Sequence, residues 1–337
     1  MNKDIKIAGA TYSGVPAIQI PAPDGGTVRY TEVSDTTATA EDVIAGKVFY
    51  DADGVKTEGI GSSSSSRNDI LVADNVELTD DDFPAAAAGT LELKSCPRNV
   101  MSIVSDKIGK ICNNACDFYS ITAYGYLTSL QVINMPYVTE IESNAFARAN
   151  TLRELLLPSL KKIPQDGIKR IEGNSLEKLD LSSVTTIANQ GLYIITTTLN
   201  KQKYIKEFSF PALREIGYQG IYRLGNNNAC ATLAKFPSIE TIGNSGLSNL
   251  YAYTIDLGEN LKSVGMRAID SGPVSKLVIR AVTPPVASSS QIVNVASSNK
   301  LVIYVPDDSI EAYKTATNWS NYADKFQPLS AYVEDAT

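Results

Sequence analysis

A short pattern returns along this chain almost without a break: proline, an apolar residue, two polar residues, an apolar residue, three variable residues, a small residue and another apolar one. Its clearest copy is Pro158-Ser-Leu160-Lys-Lys-Ile163-Pro-Gln-Asp-Gly167-Ile168. The same frame holds Pro136, Val138 and Ile141 with Ala145-Phe146; Pro211, Leu213 and Ile216 with Gly220-Ile221; and Pro237, Ile239 and Ile242 with Gly246-Leu247. Val184-Thr-Thr-Ile187 with Gly191-Leu192 and Leu261-Lys-Ser-Val264 with Ala268-Ile269 keep the spacing without the proline. Ile108-Gly-Lys-Ile111 with Ala115-Cys116 brings the number of copies to seven. From Ile141 onward the copies lie about 22 to 29 residues apart, a period that means a solenoid.

A unit of this length cannot bury its own apolar side and stacks on copies of itself. The apolar runs upstream of the pattern, Leu152 to Leu157 and Leu176 to Leu181, suit short strands with alternating residues, and strands of successive coils would pair in parallel. Leu179 reads as a core position of such a strand. The small residue at the fixed offset marks a close approach of two chain segments, with the next residue pointing inward. The expected fold is an α/β repeat, a leucine-rich-repeat-like solenoid with parallel strands, preceded by a small mainly-β N-terminal module.

The unit from Leu127 to Phe146, Leu-Thr-Ser-Leu-Gln-Val-Ile-Asn-Met-Pro-Tyr-Val-Thr-Glu-Ile-Glu-Ser-Asn-Ala-Phe, resembles the BspA-type leucine-rich repeat of bacterial surface adhesins and some phage proteins. The resemblance covers roughly residues 96 to 330. It implies a display surface, a role this repeat fills for many partners.

Composition narrows the function. The chain of 337 residues is 43% hydrophobic, enough for a sizeable core, and has a formal charge of -7 with acids and bases interspersed. It therefore lacks the broad basic face that nucleic acid requires. No apolar run approaches the roughly 18 residues of a membrane span, so no membrane insertion is expected. The start, Met-Asn-Lys-Asp-Ile-Lys-Ile-Ala, lacks the apolar core of a secretion signal, and synthesis inside a cell is expected.

Residues 1–61 have a different texture. Ile5 to Ile7, Ala17 to Ile20 and Val28 to Tyr30 are strand-like, with a turn cluster at 21–26. Thr39 to Gly46 suits one short helix, and Val48 to Tyr50 with Val55 to Thr57 suits a hairpin over the turn 51–54. Asp51 and Asp53 open like a calcium loop, but the downstream ligands are missing and a turn is the better reading. The segment 38–59 is similar to a small module of tailed-bacteriophage structural proteins. That resemblance implies a virion component docked through this end, made in the bacterial host cytoplasm and released by lysis.

The serine run gives a linker over 62–68, then an N-terminal cap over 69–95, the solenoid over 96–300 and a C-terminal cap over 301–337. In the last segment Asp308 and Glu311 suggest a capping box, and Trp319, Tyr322 and Phe326 supply aromatic mass to seal the core.

There is no histidine, which removes His-based triads and His-metal sites. No P-loop, Rossmann fingerprint or nucleophile elbow is present. The four cysteines, Cys96, Cys112, Cys116 and Cys230, are not spaced as paired zinc ligands, and Cys116 falls on an inward position. Asp80, Asp81 and Asp82 read as a solvated loop rather than a cation site. No catalytic residue, metal or cofactor is expected, and the protein is read as not an enzyme. The candidate ligand-binding residues are Tyr193, Tyr218, Tyr222, Tyr251 and Tyr253, which lie in the variable arc of longer coils; tyrosine stacks on sugars and anchors partners at low entropic cost. The expected partners are phage structural proteins through residues 1–61 and a host surface glycan or protein through the solenoid, with self-association left open. The particle location is a tail fibre or receptor-binding protein, or a capsid decoration or head fibre. A bacterial surface adhesin or scaffold is the remaining alternative.

Overall fold

Two turns make the repeat fold as it does. The proline of each copy takes the second position of a β-turn. Val138 donates its backbone N–H to the Met135 carbonyl at 3.2 Å, Leu160 to Leu157 at 3.1 Å, Leu213 to Phe210 at 3.3 Å and Ile239 to Phe236 at 3.3 Å. Proline's fixed φ suits that position, so a strand ending there changes direction. The second turn closes on the small residue: Ala145 donates to Glu142 at 3.2 Å, Gly167 to Pro164 at 3.0 Å, Gly191 to Ala188 at 3.0 Å and Gly220 to Gly217 at 3.1 Å. Its third residue is left-handed, with φ of 53° at Asn144, 57° at Asp166, 52° at Gln190 and 48° at Gln219, as in a type II turn. The small residue follows from packing. A Cβ on Gly220 would come 2.7 Å from Cγ2 of Ile216, the inward residue of the same turn.

The computed structural model describes residues 3–7, 10–15, 17–21, 27–31, 39–40, 43, 47–50, 56–59, 76–96, 100–117, 130–147, 149, 151–173, 176–196, 205–225, 230–270, 272–295 and 300–334. The chain divides into two units, Met1–Ser66 and Arg67–Thr337. In the first, three antiparallel pairs are seen: Lys3–Ile7 with Ala10–Val15, Ala17–Pro21 with Thr27–Thr31, and Val48–Tyr50 with Lys56–Glu58. The strand Ala10–Val15 was not anticipated. The expected helix at 39–46 falls largely outside the described residues; the turn 51–54 and the linker 62–68 lie outside them altogether.

The second unit is a three-sided β-solenoid of about nine turns, coils two to nine each giving one strand to each face and coil one giving one to each of the first two faces. By described residues the coils run 76–96, 100–117, 132–147, 154–173, 178–196, 207–225, 231–248, 252–270 and 276–294. The first face holds a five-stranded parallel sheet from Val76–Leu78 to Lys178–Asp180 and a six-stranded one from Glu207–Ser209 to Phe326–Pro328. The second face holds a three-stranded sheet from Leu91–Leu93 to Glu140–Ile141 and a six-stranded one from Lys162–Ile163 to Val286–Ala287, and the third is one eight-stranded sheet from Cys116–Asp117 to Val293–Asn294. Residues 76–93, expected as a cap, thus supply the first strands of two faces.

Register is kept at the inward positions. Ile187 pairs with Ile216 and Ile216 with Ile242 on the second face, while Leu192, Ile221 and Leu247 align on the third. All six are buried. Equivalent residues therefore form continuous apolar ladders along the axis, and each rung closes against its neighbours alone.

The solenoid expectation holds in this form, but the coil is not the expected strand-plus-helix unit. The only α-helix among the described residues is Ile310–Thr315, in the C-terminal segment. Between the two turns of a coil lie too few residues for a helix, and the pairs there, Thr186–Ile187 or Thr241–Ile242, are β-branched and join a parallel ladder instead. No described helix is long and apolar enough to cross a membrane.

Two details depart from expectation. Leu179 is half-buried rather than fully enclosed. It stacks on Leu155, but among the described residues no first-face pairing joins Lys178–Asp180 to Glu207–Ser209, so its upper side lacks a rung. The helix Ile310–Thr315 starts at Ser309 rather than Asp308, and Glu311 bonds Lys314 at 2.8 Å instead of forming a capping box. The aromatic seal is present. Trp319 donates from Nε1 to the Pro285 carbonyl at 2.7 Å, and Tyr313 from its hydroxyl to Ala281 at 2.8 Å. These bonds satisfy carbonyls at the open end of coil nine while the rings cover its core.

Candidate functional site

On most of the third face a coil contributes only a two-residue strand, such as Phe146–Ala147 or Leu247–Ser248. Coils four to six differ: their strands are Ile168–Gly173, Leu192–Thr196 and Ile221–Gly225. The added length makes a ledge, and it carries two of the five candidate tyrosines at matching positions. Tyr193 pairs in register with Tyr222, their rings 4.8 Å apart and crossed at 68°. Both are half-buried, because the alternate residues Leu192, Ile194 and Ile221 turn inward and hold the strands against the core.

Between these strands the register slips. Tyr193 faces Tyr222, but Ile195 faces Gly225, so coil six carries one residue more than coil five. Arg223 has counterparts in coils four and seven and none in coil five, the short one: Ile168 and Ile171, Ile221 and Leu224, and Leu247 and Leu250 are buried residues three apart, whereas Leu192 and Ile194 are two apart. Arg223 is exposed, with φ of 57°, the left-handed conformation that an arginine adopts at a cost of about 1–2 kcal/mol. The Arg223 guanidinium lies 5.4 Å from the Tyr222 ring centroid. Burial works to lower its pKa, but the oxygens of Tyr193, Tyr222 and Tyr251 outweigh that and hold it above the ordinary value.

Tyr251 adjoins the same strand through its backbone at the corner that leads into coil eight, where its N–H donates to the Leu224 carbonyl at 2.9 Å. Tyr218 and Tyr253 stand elsewhere. Tyr218 is exposed at the second turn of coil six, its N–H held by Asn189 Oδ1 at 2.9 Å, and Tyr253 is exposed on the first face. The structure therefore assembles three of the five tyrosines and adds Arg223, which the sequence did not single out. Its left-handed φ has no signature in an arginine, whereas the equivalent position of coil seven is an asparagine, Asn249, with φ of 54°.

Several charges elsewhere are neutralised within the fold. A concavity of about 390 Å³ on the first face is lined by Lys235, Asp256, Arg280 and Glu334 among others. There Arg280 grips the buried Asp256 through two bonds of 2.8 and 2.7 Å, and Lys235 holds Glu334 at 2.8 Å. Asp80 accepts from Ser105 Oγ at 2.6 Å and from the Asp106 N–H at 3.0 Å, and so acts as a structural brace of the first turn. Among the described residues no group of three or more Cys, Asp or Glu side chains could hold a metal ion.

No known family model and no curated protein matches the chain. Among solved structures, the pneumococcal vaccine antigen PcpA is similar at 13% identity, with 76% of this chain and 78% of that one covered and a TM-score of 0.27.

Proposed function

We propose that this is a non-enzymatic surface-binding protein whose solenoid holds a host or environmental surface through the third-face patch of Tyr193, Tyr222, Tyr251 and Arg223. The observation that carries the reading is the Tyr193–Tyr222 pair with Arg223 beside it, half-buried rings on a lengthened ledge of an otherwise evenly built face. Aromatic rings presented this way bind the apolar faces of sugars or anchor a protein. The solenoid is further read as a relative of the BspA-type leucine-rich repeats, on the sequence unit from Leu127 to Phe146.

The particle context rests on residues 38–59 and their similarity to a phage structural module. In this reading residues 1–61 dock to the virion and many copies raise a modest affinity by avidity. Two measurements test it. Purified full-length protein should bind host cells, and Tyr193→Ala with Tyr222→Ala should lose most of that binding while melting like wild type; undiminished binding would remove the patch from the function. Immunogold microscopy of phage particles should label them, at the tail tip for a receptor-binding protein or over the head for a capsid decoration. Unlabelled particles would overturn the virion role and favour a bacterial adhesin or scaffold.

A further inference from the structure

We propose that Arg223 makes the patch selective for acidic saccharides: the tyrosines take the apolar face of a sugar ring and the guanidinium takes its carboxylate or phosphate. The inference rests on the surface-binding reading above and adds the chemical class of the ligand.

Three observations carry it. First, Arg223 has no carboxylate partner among the described residues. Of the arginines whose side chains are described, Arg153 bonds Glu177 at 3.0 Å, Arg214 bonds Glu240 at 3.1 Å and Arg280 bonds Asp256 at 2.7 Å. Arg223 and Arg267 have no carboxylate partner among the described residues. Residues 197–204 and 226–229, which follow the ledge strands of coils five and six, contain no Asp or Glu, and Glu172 in coil four is the one acidic residue in the three ledge strands. Acids outnumber bases 37 to 30 in the chain, yet no described carboxylate pairs with this guanidinium.

Second, Arg223 is held. It lies over the Tyr222 ring and is hydrogen-bonded to that side chain, which uses only part of a guanidinium's five donors. A planar fork of donors beside a ring face suits a ligand that joins an apolar face to an oxyanion.

Third, its backbone is strained. The left-handed position that Arg223 fills carries a long side chain where Gly or Asn would sit at less cost, and the neighbouring coil uses Asn249. Strain kept at an exposed residue that contributes nothing to the core points to a role outside folding. Arg267 shares the exposure and a φ of 50°, but it belongs to the ordinary second turn, whose equivalents in other coils are all left-handed, and it has no ring contact among the described residues.

The test uses full-length protein on three immobilised pairs: oligogalacturonate and its methyl ester, a sialylated oligosaccharide and its desialylated form, and a phosphomannan and its dephosphorylated form. Wild type should bind the acidic member of at least one pair about ten-fold more tightly, the size of one charge-assisted contact. The pairs that respond separate carboxylate from phosphate. Arg223→Gln should erase the preference, Arg267→Gln should keep it, and Tyr222→Ala should weaken both members of the pair. Arg223→Gly should melt at a higher temperature than wild type yet lose the preference, an outcome that a purely structural arginine does not give. Equal binding to acidic and neutral members, or a preference that survives Arg223→Gln, overturns the inference. So does a wild type that binds no pair. If that protein still holds host cells, surface binding stands and only the acidic sugar falls; if it holds neither, both fall.

Discussion

Phe210 and Phe236 stack almost flat on one another, 5.4 Å between ring centroids and 1° between planes, each being the last residue before the proline turn of its coil. Both are buried. Truncating Phe236 opens a cavity between coils six and seven and should cost about 3–5 kcal/mol. Because the rings share one contact, Phe210→Ala with Phe236→Ala should cost less than the sum of the two single changes. Urea unfolding followed by circular dichroism measures both.

The glycines should separate into two classes. At Gly220 an added Cβ meets the Ile216 methyl, a side chain that can give way, and Ala already stands at the equivalent positions 145 and 268. Gly220→Ala should therefore cost about 1 kcal/mol, at the low end for overpacking. At Gly258 the Cβ would fall on the Pro237 carbonyl of the coil below, which is backbone and fixed by the turn. Gly258→Ala should cost more than about 3 kcal/mol or prevent folding. Equal melting temperatures for the two variants would show that the coils are not packed as described.

Acid should loosen the first coil through Asp80. Its carboxyl is held below the ordinary aspartate value, chiefly by the hydrogen bond from Ser105, against the opposing effect of burial and with help from the N–H groups of Lys107 and Asp106. A depressed folded-state value means that the contribution is complete above the unfolded pKa of about 3.9 and is lost as the pH falls through the lower folded value. Thermal melts from about pH 5 to pH 2 should show a shallower acid limb in Asp80→Asn than in wild type.

Arg280 and Asp256 form the most enclosed ion pair described, with the Asp256 side chain 8% exposed and that of Arg280 42%. Removing only the cation strands a buried carboxylate. Arg280→Ala should destabilise by about 2–3 kcal/mol, less than a fully buried pair because water already reaches the guanidinium. Replacing both, as Asp256→Val with Arg280→Met, should recover most of that loss, and a double variant no better than the single one would refute the argument.

Much of the solenoid was legible because the ladder residues recur in register: Ile163, Ile187, Ile216 and Ile242 were aligned by spacing alone and stack as one column. The internal design of the coil was not. Leu160, Ile163, Gly167 and Ile168 stand at i, i+3, i+7 and i+8, the stripe of an amphipathic helix, and that periodicity cannot tell a helix from two turns separated by a short strand. What decides is the pair of turns, one set by proline and one by a left-handed polar residue such as Gln190, and only the first is written in an unmistakable residue type. At the candidate site Tyr193 and Tyr222 could be placed in the variable arc from sequence. Their meeting depends on a pairing between coils, and the placing of Arg223 on a left-handed backbone that an arginine does not signal, neither of which leaves a mark in the local pattern.

The gap in the first face between Lys178–Asp180 and Glu207–Ser209 has a mechanical consequence. At that step two hydrogen-bonded ladders, Thr186–Ile187 to Glu215–Ile216 and Leu192 to Ile221, cross from coil five to coil six, where neighbouring steps such as coil seven to eight have three. Under a pull along the axis each ladder is loaded like a row of rivets, and a joint with two rows yields before a joint with three. The tyrosine pair straddles this joint, so Tyr193 and Tyr222 would grip across one of the two-row joints of the solenoid, and a ligand bridging both rings would act as the missing third row.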